Sequence, residues 1–313
     1  MMSKLMISRR KALQLFGITA GAVVVEPISA ATKNVKVPAF NYSLNMATIR
    51  GQNLGFAKEL EIASKAGYHS VEIWIDSLNT YLAAGGTLKE VRTMLGDLGL
   101  QVENCISFNK WIVDDEAIRN AALEHMKKEL DQLAEIGCKR IAATAMGLSN
   151  DTTITLDTIA ERYRTVLDMG IDRNVIPLLE MWGFQKQVST VSEVVYSAMQ
   201  SGNAKAGILL DIFHLYKGDT PLDTLSFINP QINPILHMND HPATISRAVI
   251  TDADRIYPGD GVAPIKRILK TLKRHDQPLI LSAELFNTIY YKQDALTVAK
   301  TALKKMKAVA EGV

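Results

Sequence analysis

The chain repeats one arrangement of hydrophobic and polar positions: an amphipathic helix, a turn that contains glycine, and a short apolar run. Early copies are "FAKELEIASKAGYHSVEIW", "LKEVRTMLGDLGLQVENCI" and "EHMKKELDQLAEIGCKRIAATA", and later copies are "IAERYRTVLDMGIDRNVIPLLE" and "VSEVVYSAMQSGNAKAGILLD". Glycine after a helix readily adopts the left-handed conformation that ends the helix. The pattern therefore predicts helix ends at Gly67, Gly99, Gly137, Gly170 and Gly202.

The apolar runs predict a parallel barrel. Eight strands are expected near 37–44, 70–75, 101–107, 139–145, 175–180, 206–211, 232–238 and 279–284, with a last helix over about 293–309. Alternation of short strands with helices is typical of an α/β protein with the (β/α)₈ TIM barrel fold. A doubly wound open sheet is the alternative, but no strand is followed by the G-x-G-x-x-G turn that would support it.

The N-terminal segment "SRRKALQLFGITAGAVVVEPISAATK" carries adjacent arginines, Arg9 and Arg10, before a moderately apolar stretch and small residues. This order predicts a twin-arginine export signal over 1–31, cleaved after Ala31, and a periplasmic location for the mature chain. An amphipathic or membrane-tethering helix is the alternative. The remaining 32–313 contain no low-complexity linker and no run of 18 apolar residues, so we expect one domain without a membrane segment.

Composition narrows the classes of partner. The chain has 313 residues, 47% hydrophobic and 22% charged, with a net charge of +2 and no basic stripe. Nothing in this balance favours nucleic acid or an anionic membrane surface. Export would permit a disulfide between the two cysteines. Cys105 and Cys138 are nevertheless expected at opposite ends of neighbouring strands, which favours two buried free thiols.

Four successive predicted strands finish with a side chain that can bind a metal ion. The runs are "VIPLLEMWG", "AGILLDIFH", "NPILHMND" and "PLILSAELF", and the residues are Glu180, Asp211, His237 and Glu284. Each alone has an ordinary interpretation: an ion pair for a glutamate, a helix cap for Asp211, or a hydrogen-bonded core histidine. Together they meet at the mouth of the barrel, where clustered carboxylates repel unless a cation lies between them. The set predicts one divalent ion: Mn²⁺, Mg²⁺, Co²⁺ or Zn²⁺.

The segments "LLEMWG", "LLDIFHLY", "ILHMND", "RIYPGDG" and "SAELF" resemble the xylose-isomerase-like TIM barrels, a family of sugar phosphate isomerases and epimerases, over roughly 37–310. The resemblance implies that the four residues above are metal ligands and that Glu180 and Glu284 are also the catalytic acid and base. It implies that His214 and Arg255 bind substrate. From the residues alone, His214 could instead support a ligand or lie at the surface, and Arg255 could pair with a nearby aspartate.

Four further residues are weaker candidates for the pocket. Glu72 ends the second predicted strand and is expected to face substrate, with a cap or an ion pair as the alternative. Trp74 and Trp182 follow strand ends and are expected to stack on a sugar or to pack at the core rim. Asp240 is expected to hold the imidazole of His237.

The sequence therefore predicts a metal-dependent isomerase or epimerase that moves a proton next to a carbonyl of a small carbohydrate. Two features depart from the family. The export signal favours a free or modified sugar over a phosphate ester, and the long segment "MNDHPATISRAVITDAD" is expected to reshape the pocket or to cover a bulkier substrate. An exported 3-keto-glycoside lyase and a non-catalytic carbohydrate-binding protein are the alternatives. A DNA-repair endonuclease is disfavoured, because the third strand supplies no histidine for a three-metal cluster. The sequence is compatible with a homo-oligomer.

Overall fold

A computed structural model describes residues 38–148, 153–274 and 276–313. Its strands form one closed parallel barrel in the order β1 to β8, with β8 returning to β1. The strands are β1 Phe40–Asn45, β2 Ser70–Trp74, β3 Gln101–Ile106, β4 Arg140–Ala143, β5 Ile176–Glu180, β6 Gly207–Asp211, β7 Ile235–Met238 and β8 Leu279–Ala283. The predicted TIM barrel is confirmed. β1 and β7 each begin three residues later than expected, and β7 does so after a short 3-10 turn at Pro230–Ile232.

Helices surround this barrel. They are α1 Phe56–Ala66, α2 Ile75–Ala83, α3 Leu88–Asp97, α4 Glu116–Glu135, α5 Leu156–Ile171, α6 Val191–Gln200, α7 Ile212–Lys217, α8 Ile265–Leu272 and α9 Ala295–Ala310. Local sequence defines where they begin. Thr87 and Glu90 form a reciprocal capping box at the start of α3, as Thr190 and Glu193 do at the start of α6. Each box satisfies backbone N–H groups that would otherwise lack partners.

The strand register sets which side chains meet at the mouth. Asp211 at the end of β6 is paired with His237 in β7, and Met238 of β7 is paired with Ala283 of β8. Glu284 therefore begins the loop directly beside the end of β7. All residues of β6, β7 and β8 are buried, so the polar ones among them lie in an apolar wall.

The turn glycines do not all serve one purpose. Gly67 has a φ of 95° and ends α1 in the left-handed conformation, as predicted. The prediction for Gly170 is wrong, because it lies inside α5 and Asn174, with a φ of 58°, takes the left-handed position instead. A Cβ on Gly170 would lie 2.3 Å from the carbonyl oxygen of Val175. Glycine is needed there so that the chain can return closely against the helix.

Both cysteines are buried and free, as predicted. Cys105 lies in β3 and Cys138 precedes β4. Within the described residues, no helix combines the length and the apolar character needed to cross a bilayer. The predicted export signal over 1–31, with Arg9 and Arg10, lies outside the described residues.

Candidate metal centre and pocket

The structure brings the four strand-end residues together around one imidazole nitrogen. Nδ1 of His237 lies 3.1 Å from Oε2 of Glu284 and 3.7 Å from Oδ2 of Asp211. Oε1 of Glu180 is also 3.7 Å from Nδ1. Asp211, His237 and Glu284 each offer a ligand atom within 4.8 Å of the other two, so these three can hold a metal ion, with Glu180 beside them.

His237 is oriented from behind by Glu72. Nε2 of His237 lies 3.1 Å from Oε1 and 3.2 Å from Oε2 of Glu72, and both side chains are fully buried. A carboxylate at Nε2 fixes the orientation of the ring and turns Nδ1 toward the other carboxylates. Nδ1 has no hydrogen-bond partner among the described residues. A buried ring nitrogen that faces three carboxylates fits a cation in the place of its proton, so these residues suit a divalent ion.

Charge in the centre is costly without such an ion. Burial raises the pKa of Glu180 to about 8, and the Glu284 carboxylate adds to the rise. Burial likewise raises the pKa of Glu284. Burial lowers the pKa of His237, but the Glu284 and Glu72 carboxylates outweigh it and hold that pKa well above its usual value. A divalent cation would stabilise the ionised carboxylates directly.

Asp211 has two functions that the sequence offered as alternatives. Its Oδ1 accepts a hydrogen bond of 3.1 Å from the backbone N–H of His214, which caps α7. The same carboxylate accepts two hydrogen bonds of 3.1 Å from Nδ2 of Asn239. Burial alone would raise its pKa, but the Arg255 guanidinium, the two histidines His214 and His237 and the hydrogen bond from Asn239 together outweigh burial and hold the pKa well below its usual range. Asp211 is therefore a rigid, ionised member of the centre.

Arg255 is part of the centre itself. Its Nη1 donates to Oδ2 of Asp211 at 2.7 Å and to Oε2 of Glu284 at 2.9 Å. Its Nε and Nη2 donate to Oδ1 of Asp252, at 2.9 and 2.6 Å. The guanidinium is 1% exposed. The pairing with an aspartate that the sequence left open is therefore present, and Arg255 also neutralises two of the predicted ligands.

His214 presents a hydrogen-bond donor to the pocket. Its Nδ1 accepts a hydrogen bond of 3.3 Å from the backbone N–H of Gly183, which places the ring proton on Nε2. Burial lowers the pKa of His214 to about 4, so the ring is neutral near pH 7. Nε2 lies 3.4 Å from Nη2 of Arg255, which is also a donor, so in this tautomer the two groups do not hydrogen-bond and the Nε2 proton is left for a ligand.

A pocket of about 160 Å³ opens above the centre. Its polar lining residues are Glu180, His214, Asp252, Arg255 and Glu284, and its apolar ones are Trp74, Ile106, Phe108, Trp182, Phe184 and Phe286. Larger hollows occur at the surface elsewhere, but this one contains the predicted chemistry.

The structure places the weaker candidates differently. Trp74 and Trp182 line the pocket, whereas Glu72 does not; it lies behind His237 and also accepts a 2.7 Å hydrogen bond from Asn104. The interpretation of Asp240 is wrong. Its carboxylate accepts backbone hydrogen bonds from His241 and from the positions at Gly259, Gly261 and Ala263, so it shapes the "PGDG" turn.

Sequence reasoning missed the amides that support the acids. Nδ2 of Asn45 donates to Oε1 of Glu284 at 3.0 Å, and its Oδ1 accepts from Nε1 of Trp74 at 2.9 Å. Asn45 ends β1 and Asn239 directly follows β7. The rule that found the four ligands, a polar residue at the end of an apolar strand, applies equally to both asparagines.

The long segment after β7 is tied down from α7. Nζ of Lys217 donates to the carbonyl oxygens of Arg247, Ala248 and Ile250 at 2.9, 3.2 and 3.1 Å. The segment continues to Asp252, which holds Arg255. Lys217 thus links α7, which Asp211 caps, to the segment that positions the guanidinium of Arg255.

Comparison with known proteins identifies the family and the fold. The profile of the family described as xylose isomerase-like TIM barrel matches residues 60–309. An inosose isomerase of Bacillus velezensis (strain DSM 23117 / BGSC 10A6 / LMG 26770 / FZB42) is 25% identical over 266 residues, which cover 82% of this chain and 93% of that protein.

Solved structures share the fold. The IolI protein with a binding zinc atom has a TM-score of 0.77 and 24% identity, and the match covers 86% of this chain and 97% of that one. D-psicose 3-epimerase with D-tagatose, from Clostridium cellulolyticum H10, has a TM-score of 0.68 and 16% identity, with 87% and 99% covered.

Proposed function

Because the chain belongs to the xylose isomerase-like TIM barrel family, we propose that it is a metal-dependent isomerase or epimerase that moves a proton next to a carbonyl of a free or modified sugar. The predicted family and the predicted class of enzyme, isomerase- or epimerase-like, are confirmed at the level of the family. One observation carries the proposal: Glu180 and Glu284 both line the pocket and both reach the same nitrogen of His237.

The two glutamates divide the proton transfer. One carboxylate removes a proton from the carbon beside the carbonyl, which leaves an enediol-type intermediate. The other glutamate returns a proton to the neighbouring carbon, which isomerises the sugar, or to the opposite face of the same carbon, which epimerises it. His214 donates its Nε2 proton to a substrate hydroxyl, and Arg255 keeps Asp211 ionised beside the reacting group.

Asp211, His237 and Glu284 would hold the ion, with Glu180 as a fourth ligand. A bound divalent ion supplies Lewis acidity, which polarises a carbonyl and makes the adjacent C–H more acidic. Three carboxylates and one imidazole suit Mn²⁺, Mg²⁺, Co²⁺ and Zn²⁺ alike, and the zinc atom of the IolI protein makes zinc the first ion to test.

The pocket supports a substrate without a phosphate group. Among the described residues that line it, Arg255 carries the one guanidinium or ammonium group. Its hydrogen bonds already go to Asp211, Glu284 and Asp252. A phosphate would therefore lack a free cation and would approach Glu180 and Glu284, which repel it.

Proton transfer at carbon predicts incorporation of solvent deuterium. The mature chain, loaded separately with each of the four ions, is incubated in D₂O with a panel of hexoses, inososes and 3-keto-glycosides, and products are followed by NMR. We expect deuterium on carbon next to the carbonyl in at least one substrate, with loss of the label after chelation. Binding of a sugar without any exchange or product would contradict an enzyme and support the carbohydrate-binding alternative.

The same proton abstraction favours β-elimination when the carbon next to the deprotonated one carries a leaving group. The apolar side of the pocket, which offers Trp182 and Phe184 beside the acids, supports this second candidate because it can accommodate the group that departs. A 3-keto-glycoside would then release its aglycone and leave an unsaturated ketone. Release of the aglycone together with the unsaturated ketone identifies the lyase, and deuterium exchange with the glycoside intact identifies the epimerase.

We also propose that the chain is exported to the periplasm by the twin-arginine route and begins at Thr32 after cleavage. Replacement of both arginines, Arg9→Lys with Arg10→Lys, is expected to leave the precursor in the cytoplasm. Fractionation and N-terminal sequencing measure this, with Lys4→Arg as the control that keeps the pair. Periplasmic recovery of the double variant in processed form would show that another route reads the segment.

A further inference from the structure

Aromatic side chains form a continuous arc around the pocket. Ring centroids are 6.1 Å apart for Phe286 and Trp74, 5.2 Å for Trp74 and Phe108, 6.2 Å for Phe108 and Trp182, and 5.4 Å for Trp182 and Phe184. We call these five residues the aromatic rim. They follow four different strands, so the arc is assembled by the fold and not by one segment of sequence.

The rim is rigid where it meets the metal centre. The indole N–H of Trp74 donates to Asn45, which also holds Glu284, and the Arg50 guanidinium lies 4.2 Å from the Trp74 ring. At the other end of the arc, Phe184 meets the ring of His214 edge-on at 5.2 Å. Fixed rings can stack on a ligand with little loss of conformational entropy.

The rim extends outward beyond the space that one sugar fills. The pocket of about 160 Å³ is smaller than the roughly 300–1,000 Å³ of sites that enclose drug-sized ligands. Phe108 and Phe184 are 37% and 39% exposed, although both line the pocket. Neighbouring exposed aromatic rings beside a polar pocket are typical of a ligand-binding surface.

We propose that the aromatic rim is an outer subsite that stacks on a second six-membered ring, so that the substrate is a glycoside whose aglycone is a ring and not a free monosaccharide. This inference rests on the proposed function, because it takes the acids below as the place of the reacting sugar. The reacting sugar lies over Glu180 and Glu284, and the aglycone lies against Phe108 and Phe184. A phenyl ring and a second pyranose present the same flat, C–H-rich face to the rim.

Matched pairs of glycosides test the subsite. Methyl and phenyl glycosides of several hexoses, and disaccharides of the cellobiose type capped as methyl glycosides at the reducing end, lack a free carbonyl, so equilibrium binding to the zinc-loaded mature chain is measured by calorimetry without turnover. For a hexose that binds, we expect the phenyl or the disaccharide form to bind about tenfold more tightly than the methyl form. A preference for phenyl identifies an aromatic aglycone, and a preference for the disaccharide identifies an oligosaccharide.

Variants of the aromatic rim then show which residues cause the tighter binding. Phe108→Ala and Phe184→Ala should each remove most of the tenfold difference between the ring-bearing form and the methyl form. Phe227→Ala is the matched control, because Phe227 is 86% exposed and is not among the residues that line the pocket. Thermal melting checks that each variant is folded.

The proposal is overturned if no hexose shows tighter binding of a ring-bearing glycoside than of its methyl form, or if the gain survives both rim variants. That failure is separable from failure of the proposed function. Deuterium exchange on a monosaccharide without any gain from the rim refutes the outer subsite alone. A gain from the rim without deuterium exchange on any sugar leaves the subsite standing and refutes the isomerase.

Discussion

Glu180→Gln and Glu284→Gln are each expected to lower kcat by about 10²–10⁴-fold, the range that general acid–base catalysis contributes. Glutamine keeps the shape of the side chain and an oxygen that can contact a metal ion, but its amide does not exchange a proton with carbon. The substrate Kd should change much less than kcat. Steady-state kinetics with the substrate found by deuterium exchange, and calorimetric titration of the metal, measure the two effects separately.

The control is Glu135→Gln, because Glu135 is exposed at the end of α4 and is not among the residues that line this pocket. It should keep wild-type turnover. Near-normal kcat in both pocket variants would mean that the two carboxylates bind metal or substrate without moving the proton. Loss of kcat that follows loss of bound metal would assign them to metal binding alone.

Arg255→Met is expected to lower the free energy of unfolding of the metal-free protein by about 3–5 kcal/mol, the usual cost of removing one partner from a buried ion pair. The variant leaves Asp211 and Glu284 without the guanidinium that donates to both. It also removes the cation that lies 4.6 Å from the ring of Phe213. Urea denaturation in the presence of a chelator gives this free energy.

Arg247→Met is the matched control, since Arg247 and Asp219 form an ion pair at the surface, where such pairs contribute about 0–1 kcal/mol. The affinity of Arg255→Met for a divalent ion should rise although its stability falls, because the variant offers more net negative charge to the ion. Equal stability losses in the two variants would show that the buried guanidinium is dispensable. Weaker metal binding in Arg255→Met would show that Arg255 acts mainly by holding the ligands in place.

The resemblance assigns Arg255 to substrate binding, and the structure also pairs it with two predicted metal ligands, Asp211 and Glu284. From the sequence, an arginine three residues before Pro258 shows only that a cation lies near the mouth. Its partners depend on how the segment after β7 folds back, and that path is fixed by Lys217 and by Asp240, which precede Arg255 by 38 and 15 residues. No local pattern encodes such a path.

The strand-end acids could be predicted from the sequence for a simple physical reason. A parallel barrel brings the carboxyl ends of its strands to one face, so a polar residue that ends an apolar run has few other places to lie. Asp211 and His237 were therefore placed correctly as neighbours. The contact between Glu72 and Nε2 of His237 could not be predicted from the sequence, because it depends on side-chain direction inside the barrel. The aromatic rim could be predicted only in part from the sequence, since Phe108, Phe184 and Phe286 lie in loops beyond the strands.

The two buried thiols have a consequence for chemistry outside the site. Burial raises the pKa of Cys138 to about 12 and holds that of Cys105 well above its usual value. The reactive thiolate is therefore nearly absent at neutral pH, and attack by oxidants or by disulfides is slow. Cysteine occurs nowhere else in the 313 residues. A folded chain of this kind keeps both thiols unmodified in reducing and in oxidising surroundings alike, and its described fold needs no disulfide-forming enzyme.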